Sequence, residues 1–450
     1  MLLAVVAAVV VAALAMTGVT VAAVHARSRD QALPAAGSSN LPTAPGQPDP
    51  KLFAPQRDAI ARVFAAREQA LQRGDLAAWL ATVDPRQPAL RTSQTVLFQN
   101  LRQLPLATYS WSYDTSTQVS GLPVPDAVKA TLGTTQAVYT PGMRVRYQLR
   151  GFDPEPTTDQ YDPLMVERGG QWYVAGDRTR AGSFDLSYDE PWTAGPIKVV
   201  TTQHVLVLVS PRDAARLGAL GAQADAAIAS VVGLWPKGWD HKAVLFATRD
   251  SDVFASFFGR NGTVSEASAL TLAVSSGTSG PQDVRVVLNT AEAPPGDSFM
   301  PVLLRHEFTH VAQWNTQAEG TPTWVIEGIA QYTAYRHHIS RARVSREIVS
   351  DAKARRWSLR MPASSSFYGA DPAQEYHYDM AWLAWEYVGE KYGDSKVVAL
   401  YDRLATITDP LDSAAALKVE AADVQAVLHM SETSFVRAVE TWTARSFQPA

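Results

Sequence analysis

The chain has no cysteine, and this absence narrows its chemistry. Disulfides, thiolate zinc sites and cysteine nucleophiles are excluded, so a metal site would have to use histidine and carboxylate ligands. Charge is also scarce, because 19% of the 450 residues are charged and the net charge is −4. Without a basic surplus, we expect no binding to nucleic acid. The hydrophobic content of 46% predicts a globular protein with room for two or three domains.

Residues 1–24 contain no charged side chain and are long enough to span a bilayer. A signal peptide is the alternative, because small residues surround an acceptable cleavage site, although the basic n-region is missing. We predict that residues 1–26 are a signal peptide or transmembrane anchor, and that the Pro- and Ala-rich residues 27–50 are a flexible linker. An extracytoplasmic protein, membrane-anchored or secreted, is expected. Arg27 and Arg29 favour the opposite orientation, so the membrane topology stays open.

Residues 51–190 carry the signals of a first α+β domain. A helix is predicted over residues 53–73, ending at Gly74, and residues 143–150 alternate strictly between apolar and polar. Gly169-Gly170 lies between two short apolar runs, which predicts a hairpin. Helices followed by an antiparallel sheet resemble an NTF2-like domain. We expect a packing or substrate-presenting module here.

The clearest chemical motif is H-E-x-x-H, formed by His306, Glu307 and His310. Apolar residues flank the motif and predict a buried helix. On a helix the two histidines leave the same face about one turn apart, where they can bind one tetrahedral zinc ion. Glu307 lies beside the metal and can take a proton from water. The alternative, a solvated helix with two surface histidines, fits the apolar flanks poorly.

A zinc site of this kind needs a third protein ligand, and the chain lacks the downstream Gly and His of the metzincin class. We expect a second helix, with Thr321 as its N-cap, to carry Glu327 back towards the histidines. Its carboxylate would complete a His₂Glu site with one open position. Gly328, unfavourable by about 1 kcal/mol inside a helix, indicates close approach of another backbone or of the metal. Glu319, in the intervening loop, is the alternative third ligand.

The two motifs together, H-E-x-x-H and then W-x-x-E-G-x-A-x-Y at residues 324–332, resemble the gluzincin metallopeptidases. Among them they are most similar to the bacterial peptidase MA-like families. This resemblance implies that His306, His310 and Glu327 bind Zn²⁺ and that Glu307 is the general base. No G-x-M-E-N-type motif lies upstream, so the specificity of the related aminopeptidases is not implied.

The resemblance also implies that residues 191–450 form a peptidase MA-like domain. Such a domain would have a small mixed sheet over the active-site helix and a mostly helical C-terminal part. Residues 284–289 are then expected to be the edge strand that pairs with extended substrate. Tyr378, in a Y-x-x-[AS] element, is implied to hydrogen-bond the oxyanion. Tyr376 and His377 are rivals for that role. The alternative is an aromatic helix start packed in the core.

These features predict an α+β zinc metallopeptidase that acts on peptide or protein substrates and contacts the membrane only through its N-terminal segment. One alternative is a non-catalytic cell-envelope binding or scaffold protein with a structural or vestigial zinc site. The intact Glu307 argues against it, because a structural site needs no base. An enzyme acting on a non-peptide amide is a further alternative. Specificity, endo- or exo-action and oligomeric state stay open.

Overall fold

The computed structural model describes residues 54–113, 124, 126–176, 190–257, 268–273, 283–292, 298–337, 360–367 and 374–446. The predicted apolar segment of residues 1–26 and the predicted linker of residues 27–50 lie outside the described residues. Within the described ranges, no helix has both the length and the apolar character needed to cross a membrane. Helices and small sheets alternate along the chain, so the predicted α+β class is confirmed.

In its described residues, the first part of the chain combines helices with two small antiparallel sheets. The helices are α1 (Ala54–Arg73), α2 (Leu76–Ala81), α3 (Pro88–Leu101) and α4 (Asp126–Leu132). The strands are β1 (Leu106–Tyr113), β2 (Ala137–Tyr139), β3 (Met143–Leu149), β4 (Thr157–Tyr161), β5 (Leu164–Arg168) and β6 (Gln171–Gly176). The strand orders are β1-β3-β4 and β2-β5-β6.

Local sequence signals account for several of these elements. α1 ends where Gly74 adopts a left-handed φ of 70°, which favours glycine. Every second side chain of β3, from Met143 to Leu149, is buried, as the alternation predicts. Gly169 and Gly170 both have positive φ in the turn between β5 and β6, as a two-residue hairpin requires.

A mixed sheet dominates the second part of the chain. Its strands are β7 (Lys198–Thr201), β8 (Val205–Val209), β9 (Ala243–Thr248), β10 (Ala269–Ala273) and β11 (Val284–Asn289), in the order β10-β11-β9-β8-β7. β8, β9 and β11 are parallel, and β10 pairs with β11 antiparallel. The expectation that residues 284–289 form the edge strand is therefore wrong, because β10 covers β11. A five-residue run without alternation does not distinguish a strand from a helix, so the sequence does not reveal β10.

The described helices of the second part pack against this sheet or against one another. They are α5 (Leu217–Val232), α6 (Ser251–Ser256), α7 (Met300–Gln313), α8 (Thr323–Tyr335), α9 (Gln374–Tyr392), α10 (Asp394–Leu404), α11 (Ala414–Leu428) and α12 (Glu432–Ser446). α7 lies at the centre, because it contacts α5, α8, β10 and β11. α8 packs in turn against α9. The helix with the H-E-x-x-H motif is thus enclosed by the sheet and by two other helices.

The two parts of the chain meet at a buried polar group that we call the junction cluster: Asp153, Glu190, Asp283 and Arg285. Arg285, on β11, lies 2.9 Å from Asp153 in the first part. The hydroxyl of Thr157, on β4, donates a hydrogen bond to Asp283 at 2.5 Å. The predicted division at residues 190 and 191 falls at this junction, and the division into domains stays a prediction.

Candidate metal centre

α7 presents the two histidines of the motif on one buried face. Pro301 occupies the first turn, where its missing N–H is tolerated, and Leu304 and Phe308 are fully buried. Because His306 and His310 are four residues apart, their rings lie one above the other. Their Nε2 atoms are 3.0 Å apart.

α8 begins with Pro322 as its N-cap, so the expectation of Thr321 at that position is wrong. The Thr321 hydroxyl lies instead within hydrogen-bond distance of two carbonyl oxygens, that of Ala318 at 2.8 Å and that of Ala405, just beyond α10, at 2.9 Å. The backbone N–H of Thr323 donates to the hydroxyl of Ser364 at 3.2 Å. The helix is therefore capped by a residue that is distant in sequence, which local capping rules do not foresee.

Close packing of α8 against α9 explains the mid-helix glycine. A Cβ atom at Gly328 would lie 2.6 Å from the carbonyl oxygen of Ala381 and 2.7 Å from the Trp385 side chain. Only glycine permits the two helices to approach this closely. The predicted close approach of another backbone at Gly328 is confirmed, and it holds the neighbouring Glu327 in a fully buried position.

The Glu327 carboxylate lies beside both imidazole rings. Its Oε2 atom is 3.5 Å from His306 Nε2 and 3.7 Å from His310 Nε2. These three ligand atoms lie within 4.8 Å of one another and could hold a metal ion. Glu319, the alternative third ligand, is exposed and does not belong to this group. In the described ranges, no other set of His, Cys, Asp or Glu side chains converges in this way.

The separations fit zinc closely. Zinc bonds of about 2.1 Å in a tetrahedral arrangement place neighbouring ligand atoms about 3.4 Å apart. The observed separations are 3.0, 3.5 and 3.7 Å. Two imidazole nitrogens and one carboxylate oxygen are also a donor set that suits a zinc site with one open position. The residues present therefore fit the metal that the sequence predicts.

The protonation of the two histidines is governed by burial and by their neighbours. Burial and the neighbouring His306 hold the pKa of His310 well below its ordinary value, so its imidazole is neutral, which is the form that binds metals. Burial also lowers the pKa of His306, but Glu327 and Glu307 outweigh it and the net shift is upward. The Nδ1 atom of His306 lies 3.2 Å from the Gln331 carboxamide oxygen. Donation from Nδ1–H to this oxygen leaves Nε2 as the ligand atom.

Glu307 is completely buried next to the ligand group. Burial raises the pKa of its carboxyl to about 7, while His306 and a hydrogen bond from Thr271 act in the opposite direction. Its Oε2 atom accepts that hydrogen bond from the Thr271 hydroxyl at 2.6 Å. Its Oε1 atom has no hydrogen-bond partner in the described part of the chain. A carboxylate with a pKa near neutrality and one uncommitted oxygen suits proton transfer.

The residues at the start of α9 are packed among aromatic side chains. Tyr378 is buried and meets Phe367 edge to face, with ring centroids 5.0 Å apart. His377, one of its rivals, is paired through Nδ1 with the backbone carbonyl of Ser366 at 3.1 Å. Tyr376 is also buried. The role of Tyr378 towards an oxyanion stays a prediction.

Two residues of the site are absent from the expectations based on sequence. Gln331 lies four residues after Glu327 and so shares its helix face, a spacing that could have identified it. Thr271 has no such signal, because it reaches Glu307 only through the pairing of β10 with β11.

Comparison with known proteins places this centre in a peptidase context. Residues 285–359 match a protein family described as "Peptidase of plants and bacteria". No curated protein and no solved structure matches the chain. The matched segment includes α7 and α8, the helices that carry the motif residues His306, Glu307, His310 and Glu327. Over that segment, the chain is similar to a family of peptidases.

Proposed function

We propose that this protein is a zinc metallopeptidase of the gluzincin, peptidase MA-like type. The observation that supports this most directly is the convergence of His306 Nε2, His310 Nε2 and Glu327 Oε2 on one buried point. The match to a peptidase family supports a peptidase function in general. These three side chains would hold Zn²⁺, and Glu307 would act beside it.

When bound, zinc supplies Lewis acidity, which favours deprotonation of water and polarises a carbonyl oxygen. Glu307 takes the proton of the attacking water at Oε1, because Oε2 is already engaged with Thr271. Glu307 then passes that proton to the leaving amine as the peptide bond breaks. The phenol of Tyr378 is the proposed donor to the oxyanion, by resemblance to the family.

β10 is the proposed strand for substrate pairing, in place of the interior strand β11. It lies at the edge of the described sheet and runs beside α7, with Thr271 in contact with Glu307. An extended peptide that pairs with this edge would be recognised through its backbone, with little dependence on its sequence.

Export of the protein is proposed on the sequence of its N-terminal segment. The uncharged residues 1–24, followed by the Pro-rich linker, support a membrane-anchored or secreted extracytoplasmic location. Cell fractionation with N-terminal sequencing of the mature protein tests this. An intact N terminus in the cytoplasmic fraction would contradict it.

The test of the enzymatic proposal uses the zinc-loaded full chain with a peptide library, with and without a chelator. Glu307→Gln should retain zinc and lose hydrolysis by at least about 100-fold, because the proton acceptor is gone. Glu440→Gln, on the exposed face of α12, is the matched control and should leave the rate unchanged. Hydrolysis by Glu307→Gln at the wild-type rate would exclude the general-base role. A zinc-loaded wild type that cleaves no peptide would exclude the peptidase.

A further inference from the structure

Thr271 lies at the centre of β10, on the face of the strand that looks towards α7. Leu270 and Leu272 pack into the hydrophobic cluster on one side of the sheet, while Ala269 belongs to the cluster around α7. With the period of two in a strand, Thr271 shares the face of Ala269. Its side chain is buried, and its hydroxyl reaches the Glu307 carboxylate.

The contact between these two side chains is short and specific. The hydroxyl oxygen of Thr271 lies 2.6 Å from Glu307 Oε2 and 3.3 Å from the backbone carbonyl oxygen of Glu307. Because a hydroxyl has a single proton, the shorter contact is the one in which it donates. Hydroxyl-to-carboxylate bonds of this length are charge-assisted and stronger than bonds between neutral groups.

The strand that carries this hydroxyl is held in place from the far side of the sheet. Thr271 pairs with Val286 of β11, and its neighbour Leu272 pairs with Arg285. Arg285 is in turn 2.9 Å from Asp153 in the first part of the chain. The position of the hydroxyl is thus set by backbone pairing and by a buried ion pair, and not by a flexible loop.

We propose that Thr271 is a positioning residue for Glu307: its hydroxyl holds Oε2 so that Oε1 is the atom presented to the attacking water. This inference rests on the proposed function. A carboxylate on a two-carbon side chain can rotate, and fixing one oxygen reduces the misplacement of the other. Misplacement by about 1 Å can lower a catalytic rate about 100-fold.

The kinetic test compares Thr271→Val with Thr271→Ser in the zinc-loaded full chain. Valine has nearly the same shape as threonine but no donor, whereas serine keeps the donor. We expect Thr271→Val to lower kcat about 10- to 100-fold with an unchanged KM, and Thr271→Ser to restore most of it. Equal kcat values for Thr271→Val and wild type would overturn the proposal.

A second measurement uses the thermal midpoint of the zinc-free protein and needs no activity. Thr271→Val should lower Tm by at least about 2 °C, because the buried Glu307 carboxylate loses its donor. In a Glu307→Ala background the same change removes a hydroxyl whose acceptor is gone, so Tm should stay equal or rise. If Thr271→Val lowers Tm equally in the wild-type and Glu307→Ala backgrounds, Thr271 contributes only packing, and the proposal is overturned.

The two failures are distinguishable. A zinc-loaded wild type without hydrolysis overturns the proposed function and, with it, the positioning role. Hydrolysis by the wild type together with an uncoupled pair of Tm shifts overturns the positioning role alone.

Discussion

Two buried polar groups in this molecule share several properties and differ in one. The candidate metal centre, with His306, His310 and Glu327 as the proposed ligands and Glu307 beside them, is buried beneath β10 and β11. The junction cluster is buried where the two parts of the chain meet. Both contain carboxyl groups with raised pKa values, and burial is the largest cause in each.

The difference lies in how negative charge is balanced. In the junction cluster the guanidinium of Arg285 lies 2.9 Å from Asp153 and 3.8 Å from Glu190, so the balancing cation belongs to the chain. In the metal centre, imidazole nitrogens and a carboxylate oxygen converge at separations that suit a shared metal ion. A buried carboxyl group with a raised pKa therefore does not by itself identify a catalytic site. A candidate site is identified by the type of the donor atoms and by their convergence on one point.

The largest expected effect on zinc binding separates Glu327, the proposed third ligand, from Glu319, its alternative. Glu327→Gln should weaken zinc binding at least about 100-fold, because one of three protein ligands loses its charge. Glu319→Gln, in the exposed loop before α8, is the matched control and should bind zinc like the wild type. Competition with a chromophoric chelator measures both. Equal weakening in the two variants would contradict the assignment.

Removal of the guanidinium from the junction cluster should affect stability and not metal binding. Arg285→Met leaves buried carboxylates without their cation and should lower the free energy of unfolding by about 3–5 kcal/mol. Arg403→Met, which breaks a half-exposed pair with Asp423, should lower it by about 1 kcal/mol or less. Urea unfolding measures the difference. A loss of zinc affinity in folded Arg285→Met would contradict the expectation that the junction cluster contributes to stability and not to metal binding.

Substitution of Gln331 tests whether metal binding depends on side chains that contact the proposed ligands without binding the metal themselves. Gln331→Leu removes the acceptor for His306 Nδ1 and should weaken zinc binding about 10- to 100-fold. Gln331→Glu keeps an acceptor at the same position and should retain most of the affinity. Competition with a chromophoric chelator measures the zinc affinity of both variants. An unchanged affinity in Gln331→Leu would show that the contact with Gln331 does not orient the His306 imidazole.

Over a single pH unit, the smallest of these expected effects concerns pH. Burial raises the pKa of Glu190 from 4.5 to about 8, so the folded state binds more protons than the unfolded state between these values. The free energy of unfolding should therefore fall as pH rises from about 5 to 8, by at most about 1.4 kcal/mol per pH unit from one group. Glu190→Gln should flatten this slope in zinc-free protein, with the exposed Asp126→Asn as comparison. An unchanged slope would contradict the burial argument.

The local sequence determines some features of this protein and leaves others open, for physical reasons. Motif spacing places His306 and His310 on one helix face, because the helical period is fixed by backbone hydrogen bonds. It also foresees the alternation of β3 and the close approach at Gly328, since both depend on local geometry. Strand order is different, because β10 is placed by long-range pairing with β11, and no local pattern records that.

By itself, the sequence determined the donor types, the helical spacing of the histidines and the presence of a downstream carboxylate, because these depend on residue identity and local periodicity. Only the tertiary structure decided that Glu327 comes within 3.7 Å of both imidazoles. It alone also decided that Thr271 holds Glu307 and that β10, not β11, forms the edge of the described sheet. These contacts join segments that are distant along the chain, and packing of the whole core sets their distances.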